Sequence, residues 1–162
     1  MLHEKDSILR EIERIVAAIA RILQLKQHDD LDGALEVIQH SYTELFGPLG
    51  EFLARADVPT VKQLITDPVQ MAGLARLLRV EANVRESAGD STAADAIKRR
   101  ALELAVEAYR RDEHGVADAR HVVGQLRDGV AEESLALEYR EVLWELAKEI
   151  EPQSEVQKRA SQ

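Results

Sequence analysis

From Asp6 to Ile150 the apolar residues recur at offsets of three and four, broken at intervals by acidic residues, glycine and proline. That spacing puts one apolar stripe on each of a series of helices. No segment shows the strict apolar–polar alternation of a half-buried strand over four or more residues. The sequence therefore predicts an all-α fold. Each stripe has to be buried against a neighbour, and the short breaks between helices make consecutive ones antiparallel.

The first helix is expected over about Asp6 to Gln27, with Ile8, Ile12, Ile15, Val16, Ile19, Ile22 and Leu23 on its stripe. Asp30 stands where an N-cap is needed, and a second helix follows to Phe46, ended by Gly47-Pro48. Between Gly47 and Thr66 the apolar residues persist among Gly and Pro, which predicts two short helical pieces. Asp67-Pro68 is a helix start: an N-cap, then a proline at the first helical position. It opens a third main helix, about Pro68 to Ala88, with Ala72, Leu74, Ala75, Leu78 and Ala82 inward. A fourth runs from about Thr92 to Arg111, a shorter one from Val116 to Leu126, and a last one through Leu135, Tyr139, Val142, Leu143, Leu146 and Ile150. Glu151-Pro152 is expected to stop it. The expected architecture is a single compact domain of antiparallel helical hairpins, about six or seven helices over residues 1–152, with 153–162 a frayed tail.

Composition narrows the chemistry. Hydrophobic residues make up 45% but aromatics only 4%, so Leu, Ile, Val and Ala must build the core. Alanine favours helices and lets them approach closely. With no cysteine there is no disulfide, thiolate zinc site, iron–sulfur cluster or Cys nucleophile. A reducing, cytoplasmic setting is expected. The charged N-terminal stretch has no apolar region of a secretory signal, and the longest apolar run, Ile15 to Ala20, is far short of a membrane span. A net charge of −9 disfavours nucleic acid, whose phosphates such a chain repels.

Two windows read alike: Asp30-Leu31-Asp32-Gly33-Ala34-Leu35-Glu36-Val37-Ile38 and Gly89-Asp90-Ser91-Thr92-Ala93-Ala94-Asp95-Ala96-Ile97. Each is an acidic turn followed by a small residue at the start of a second helix. The pattern resembles the tetratricopeptide family, whose repeat of about 34 residues is a helical hairpin. The match is best over Arg76 to Arg110, where Leu78, Ala82, Ala94 and Ala101 stand at the family's apolar and small positions and Gly89-Asp90 in its turn. Lys98 stands where the family prefers an aromatic, Ser41 where it prefers Ala, and about twenty residues separate the hairpins. The whole chain, including its start Met1-Leu2-His3-Glu4-Lys5-Asp6-Ser7-Ile8-Leu9, also looks similar to a group of small uncharacterised bacterial helical proteins. That similarity implies a fold and no activity.

The resemblance implies that Arg76, Arg79 and Asn83 lie on the groove-lining face of a hairpin's first helix. Arg79 and Asn83 then resemble the basic and amide pair with which some family members hold a peptide carboxylate, a chemistry suited to guanidinium and amide donors. Ordinary surface arginines among glutamates are the competing reading. Further basic residues cluster nearby, Arg85 on the same helix and Lys98, Arg99 and Arg100 on the next. Trp144 falls off the stripe of the last helix, where it would anchor a partner or cap a neighbouring helix.

No catalytic constellation stands out. Gly-rich phosphate loops, Gly-x-Ser-x-Gly and His-Glu-x-x-His are absent, and Glu-x-x-His does not occur. Surface positions are expected for His3, His28, His40, His114 and His121, and no metal or cofactor. The sequence thus points to a non-enzymatic interaction module or scaffold that docks a protein or peptide, or another copy of itself. The alternatives are a helical bundle that binds a small molecule or senses one, and a purely structural oligomer.

Overall fold

The computed structural model describes the backbone of residues 2–160 and the side chains of residues 6–149. Among the described residues there are no strands. Eight α-helices follow one another: α1 (Leu2–Gln27), α2 (Leu31–Phe46), α3 (Gly50–Arg55), α4 (Val58–Leu64), α5 (Pro68–Ser87), α6 (Ser91–Arg111), α7 (Ala119–Leu126) and α8 (Leu137–Ala160), with a 3₁₀ turn at Glu132–Ser134. The Gly- and Pro-punctuated stretch after α2 forms the two short helices expected of it, α3 and α4, and with both counted the total is eight rather than six or seven.

The acidic residues at the breaks act as caps. Asp30 accepts from the Gly33 amide, Asp57 from Thr60, Asp67 from Val69 and Asp90 from Ala93. Each satisfies an amide that the helix itself leaves unpaired. Gly47 and Gly89, with φ of 82° and 90°, take the left-handed backbone needed to leave α2 and α5. One start differs from expectation: α7 begins at Ala119 rather than Val116. The Asp112 carboxylate accepts from the amides of Ala117 and Ala119, and Asp118 is left-handed, φ 49°. A side chain at the end of α6 has taken over the role of a first helical turn.

The chain contacts divide it into two units, residues 1–130 and 131–162. In the first, α1 and α2 form one antiparallel hairpin and α5 and α6 another. Helix α5 packs on both α1 and α2, and α7 packs on both α5 and α6. Short α3 lies on α2, and α4 on α6. Helix α5 is central: twelve of its residues, Val69 through Val84, are buried, around most of its circumference. Met71, Leu74, Leu77 and Leu78 there are, with Ile22, Ile38, Tyr42, Leu102 and Leu104, the largest fully buried side chains described in this unit. Each such aliphatic chain taken from water contributes about 1.5–3 kcal/mol.

Close approach of α1 to α5 depends on Gly73. A Cβ there would run into the Cδ1 of Ile15. At Gly50 a Cβ would strike the Tyr42 carbonyl, so the first residue of α3 lies directly on the last turns of α2.

The second unit is the 3₁₀ turn and α8. Leu135, in the turn, and Tyr139, Leu143 and Leu146 are buried. Helix α8 does not stop at Pro152 but continues to Ala160. Proline removes one helical hydrogen bond and crowds the preceding turn. The residues beyond it, Gln153, Glu155, Gln157, Lys158, Arg159 and Ala160, are good helix formers, which favours continuation. The side chains of His3 and Ile150 lie outside the described residues.

Candidate functional site

Helices α1, α5 and α7 border a cleft of about 260 Å³. Ile12 and Ile15 form one wall and Val69, Ala72, Gly73 and Arg76 the floor, while Ala117, Asp118, His121, Val122 and Gln125 form the other wall. Small residues at 72 and 73 make the floor deep. The cleft continues onto an apolar ridge. Leu9 and Val16 are the i−3 and i+4 neighbours of Ile12, and Ile19 and Leu23 extend the same row. Leu9, Val16 and Leu23 are 56%, 45% and 40% exposed. At 1.5 Å per residue the row from Leu9 to Leu23 is about 21 Å long. Helix α1 thus has two apolar stripes: Ile15 and Ile22 are buried in the core, while the Leu9 row faces outward.

Arg76 is half-buried at the edge of this surface and has no hydrogen bond or ion pair among the described residues. Arg79 is committed elsewhere: its Nη1 donates to the Leu126 carbonyl at 3.2 Å, satisfying the end of α7. Asn83 is half-buried and is not among the residues that line the cleft. Of the three residues suggested as a carboxylate clamp, the structure therefore brings only Arg76 to the cleft. Trp144, on α8 in the second unit, is 46% exposed.

Of the other basic residues of α5 and α6 in that cluster, Lys98, Arg100 and Arg85 are individually employed, while Arg99 is exposed. Lys98, at the position suited to an aromatic, is buried with its Nζ 2.7 Å from Glu86 Oε2, so its stem fills the apolar place and its head reaches the surface. Arg100 donates to the carbonyls of Arg55 and Ala54 at the end of α3. Arg85 Nε donates to Glu81 Oε2 at 3.1 Å, and the Tyr42 hydroxyl donates to Glu81 Oε1 at 3.1 Å. Glu81 is buried. The Tyr42–Glu81 bond was not legible in the sequence, since it joins two helices, α2 and α5. Burial, and then the neighbouring Glu81 charge, raise the Tyr42 phenol well above its ordinary pKa. Burial lowers that of Arg100, opposed by Tyr42 and Glu81. On α1, burial and then the charge of Asp67 raise the Glu11 carboxyl.

A second cavity, of about 290 Å³, opens beside this network between α2, α3, α5 and α6. A wider groove of about 900 Å³ runs along the outer side of the α1–α2 hairpin, past Arg14, Arg21, Glu36 and His40. His28, His40, His114 and His121 are exposed. Among the described residues, no three of the His, Asp and Glu side chains are grouped to hold a metal ion. No described helix is long and apolar enough to cross a membrane.

Compared with known proteins, the chain matches no family model, no curated protein and no solved structure.

Proposed function

We propose that the chain is a non-enzymatic interaction module, acting in the cytoplasm, that holds a peptide segment of a partner protein against the α1–α5–α7 face. The segment's chemistry follows from the face: a row of apolar side chains with an acidic group among them. The observation that carries this reading is the cleft itself, where apolar side chains of α1, α5 and α7, with Asp118, His121 and Gln125 among them on one wall, adjoin Arg76, a cation without a partner among the described residues. An arginine in such a place gains charge-assisted hydrogen bonds when a carboxylate arrives. The net charge of −9 opposes an acidic partner at long range, so affinity rests on contact with the Leu9 row and Arg76 rather than on steering. The pairing of α5 with α1 and α2, and of α7 with α5 and α6, supports reading the hairpins as tetratricopeptide-like.

Fluorescence anisotropy tests this with two labelled peptides that share Leu and Ile at 3–4 spacing and differ in carrying Glu or Lys. The Glu peptide is expected to bind the protein saturably and the Lys peptide more weakly. Val16→Asp and Arg76→Glu should each weaken the Glu peptide about tenfold or more, the value of one desolvated contact. Arg76→Glu should also reverse the preference between the peptides. Binding that ignores both substitutions overturns the reading. So does a dimer in sedimentation that Val16→Asp dissociates, because the face would then belong to a second copy of the chain.

A further inference from the structure

The Glu81 network lies beside a cavity whose charge runs against that of the protein as a whole. Three arginines, Arg55, Arg85 and Arg100, line it against one glutamate, Glu81, in a chain of net charge −9. Arg100 spends its two terminal nitrogens on the end of α3. Arg85 is held differently. Its Nε is bound to a carboxylate that Tyr42 fixes from the other side, and neither of its terminal nitrogens has an acceptor among the described residues. A buried anchor thus holds the guanidinium by its Nε while leaving both terminal nitrogens without an acceptor among the described residues. The α6 part of the lining, Ala93, Ala96 and Ile97, is apolar. At about 290 Å³ the space is at the lower end of ligand pockets, the size of a small organic molecule rather than a nucleotide.

We propose that this cavity is a binding site for a small carboxylate with a short apolar tail. Its carboxylate is received by the terminal nitrogens of Arg85 in the field of Arg55 and Arg100, and its tail rests on Ala93, Ala96 and Ile97. A planar two-donor edge matches a carboxylate. The apolar α6 wall favours an organic acid over an inorganic anion. The site is distinct from the α1–α5–α7 face and does not depend on the peptide reading.

Butyrate and inorganic phosphate are titrated into the full chain at fixed ionic strength held with chloride. Arginine Nε–H NMR signals and thermal unfolding are followed. Butyrate is expected to move the Arg85 Nε–H signal saturably and raise Tm, since a ligand that binds only the folded state stabilises it. Arg85→Gln should weaken butyrate about tenfold or more. Because that change also disturbs Glu81, a second variant keeps the charges: Ala96→Leu, at an exposed position of α6, fills the tail space and should abolish binding while unfolding near the wild-type temperature. Arg76→Gln, on the other face, should leave butyrate binding unchanged. Saturation by phosphate alone, no saturable shift with butyrate, or a shift that survives both Arg85→Gln and Ala96→Leu overturns the proposal.

Discussion

The bond between Tyr42 and Glu81 ties the first hairpin to the second, and its worth can be worked from the structure. Tyr42 is 1% exposed and Glu81 7%, and the hydroxyl is 3.1 Å from the carboxylate. A hydrogen bond to a charged acceptor contributes about 1.5–3 kcal/mol. Tyr42→Phe keeps the ring's packing and leaves Glu81 with Arg85, so its expected loss is about 2 kcal/mol. In a chain of this length that is a drop of roughly 4–8 °C in Tm. Glu81→Leu should be worse, because it strands a buried hydroxyl and removes Arg85's anchor. With Leu at 81, however, Tyr42→Phe removes the stranded hydroxyl, so the same substitution should then cost nothing or stabilise. Urea unfolding of the four proteins gives the coupling energy directly. The pH dependence offers a second readout. The phenol's pKa is raised in the folded state. Its contribution is therefore complete below the unfolded pKa of about 10 and is lost as pH rises above that towards the folded value. Tyr42→Phe should flatten that alkaline loss. A cost of Tyr42→Phe that is the same with Glu or Leu at 81 would refute the coupling.

Three further outcomes follow from other parts of the first unit. Gly73→Ala should destabilise by about 1–3 kcal/mol through overpacking against Ile15, and Ile15→Val, which removes the obstructing Cδ1, should recover most of it in chemical denaturation. Stabilisation by Gly73→Ala alone, the result of helix propensity unopposed, would show that the end of the Ile15 side chain gives way without cost and would refute the overpacking. Glu11 has its folded pKa raised, so its charge at neutral pH works against folding. Glu11→Gln should raise Tm at pH 7, and the gain should vanish as pH falls below the ordinary carboxyl range. Lys98→Met keeps the buried stem and removes the charge, so it should be close to neutral. Glu86→Ala, which leaves the Lys98 ammonium without its partner, should lower Tm more than Lys98→Met does.

Much of the fold was legible because it is written locally. Asp30, Asp67 and Asp90 each precede a helix by one residue and bond an amide two or three positions on, so the same few residues both signal and make the boundary. The boundaries that misled are those decided at a distance. Asp112 reaches across five to seven residues to tie down Ala117 and Ala119, which holds back the start of α7. At Pro152 the reverse occurs, with flanking helix formers outweighing one local breaker. Helix α5 was expected to bury a single stripe. It buries most of its circumference because hairpin and neighbouring helices enclose it, a fact of tertiary order that no periodicity within one helix contains.

The sites show the same division between what one element reveals and what several share. Arg76, Arg79 and Asn83 were grouped because the tetratricopeptide resemblance puts them on one groove-lining face of one helix, yet their fates are set by other helices. The carbonyl of Leu126 takes Arg79, and the opening between α1 and α7 gives Arg76 its place in the cleft. Lys98 looked like a departure from a pattern of buried residues, and it is buried all the same, because four methylenes pack like an apolar side chain while Glu86 holds the charge at the surface. The exposed row on α1 was visible as residues but not as a surface. Val16 and Leu23 belonged to one wide stripe with Ile15 and Ile22 until α2 and α5 covered only part of it. A helix wheel therefore overstates what a core buries whenever a helix is apolar over more than the width that its neighbours can cover. The surplus is where a binding face should be sought: on α1 it is the row from Leu9 to Leu23, beside Arg76, which lines the cleft and is unpaired among the described residues.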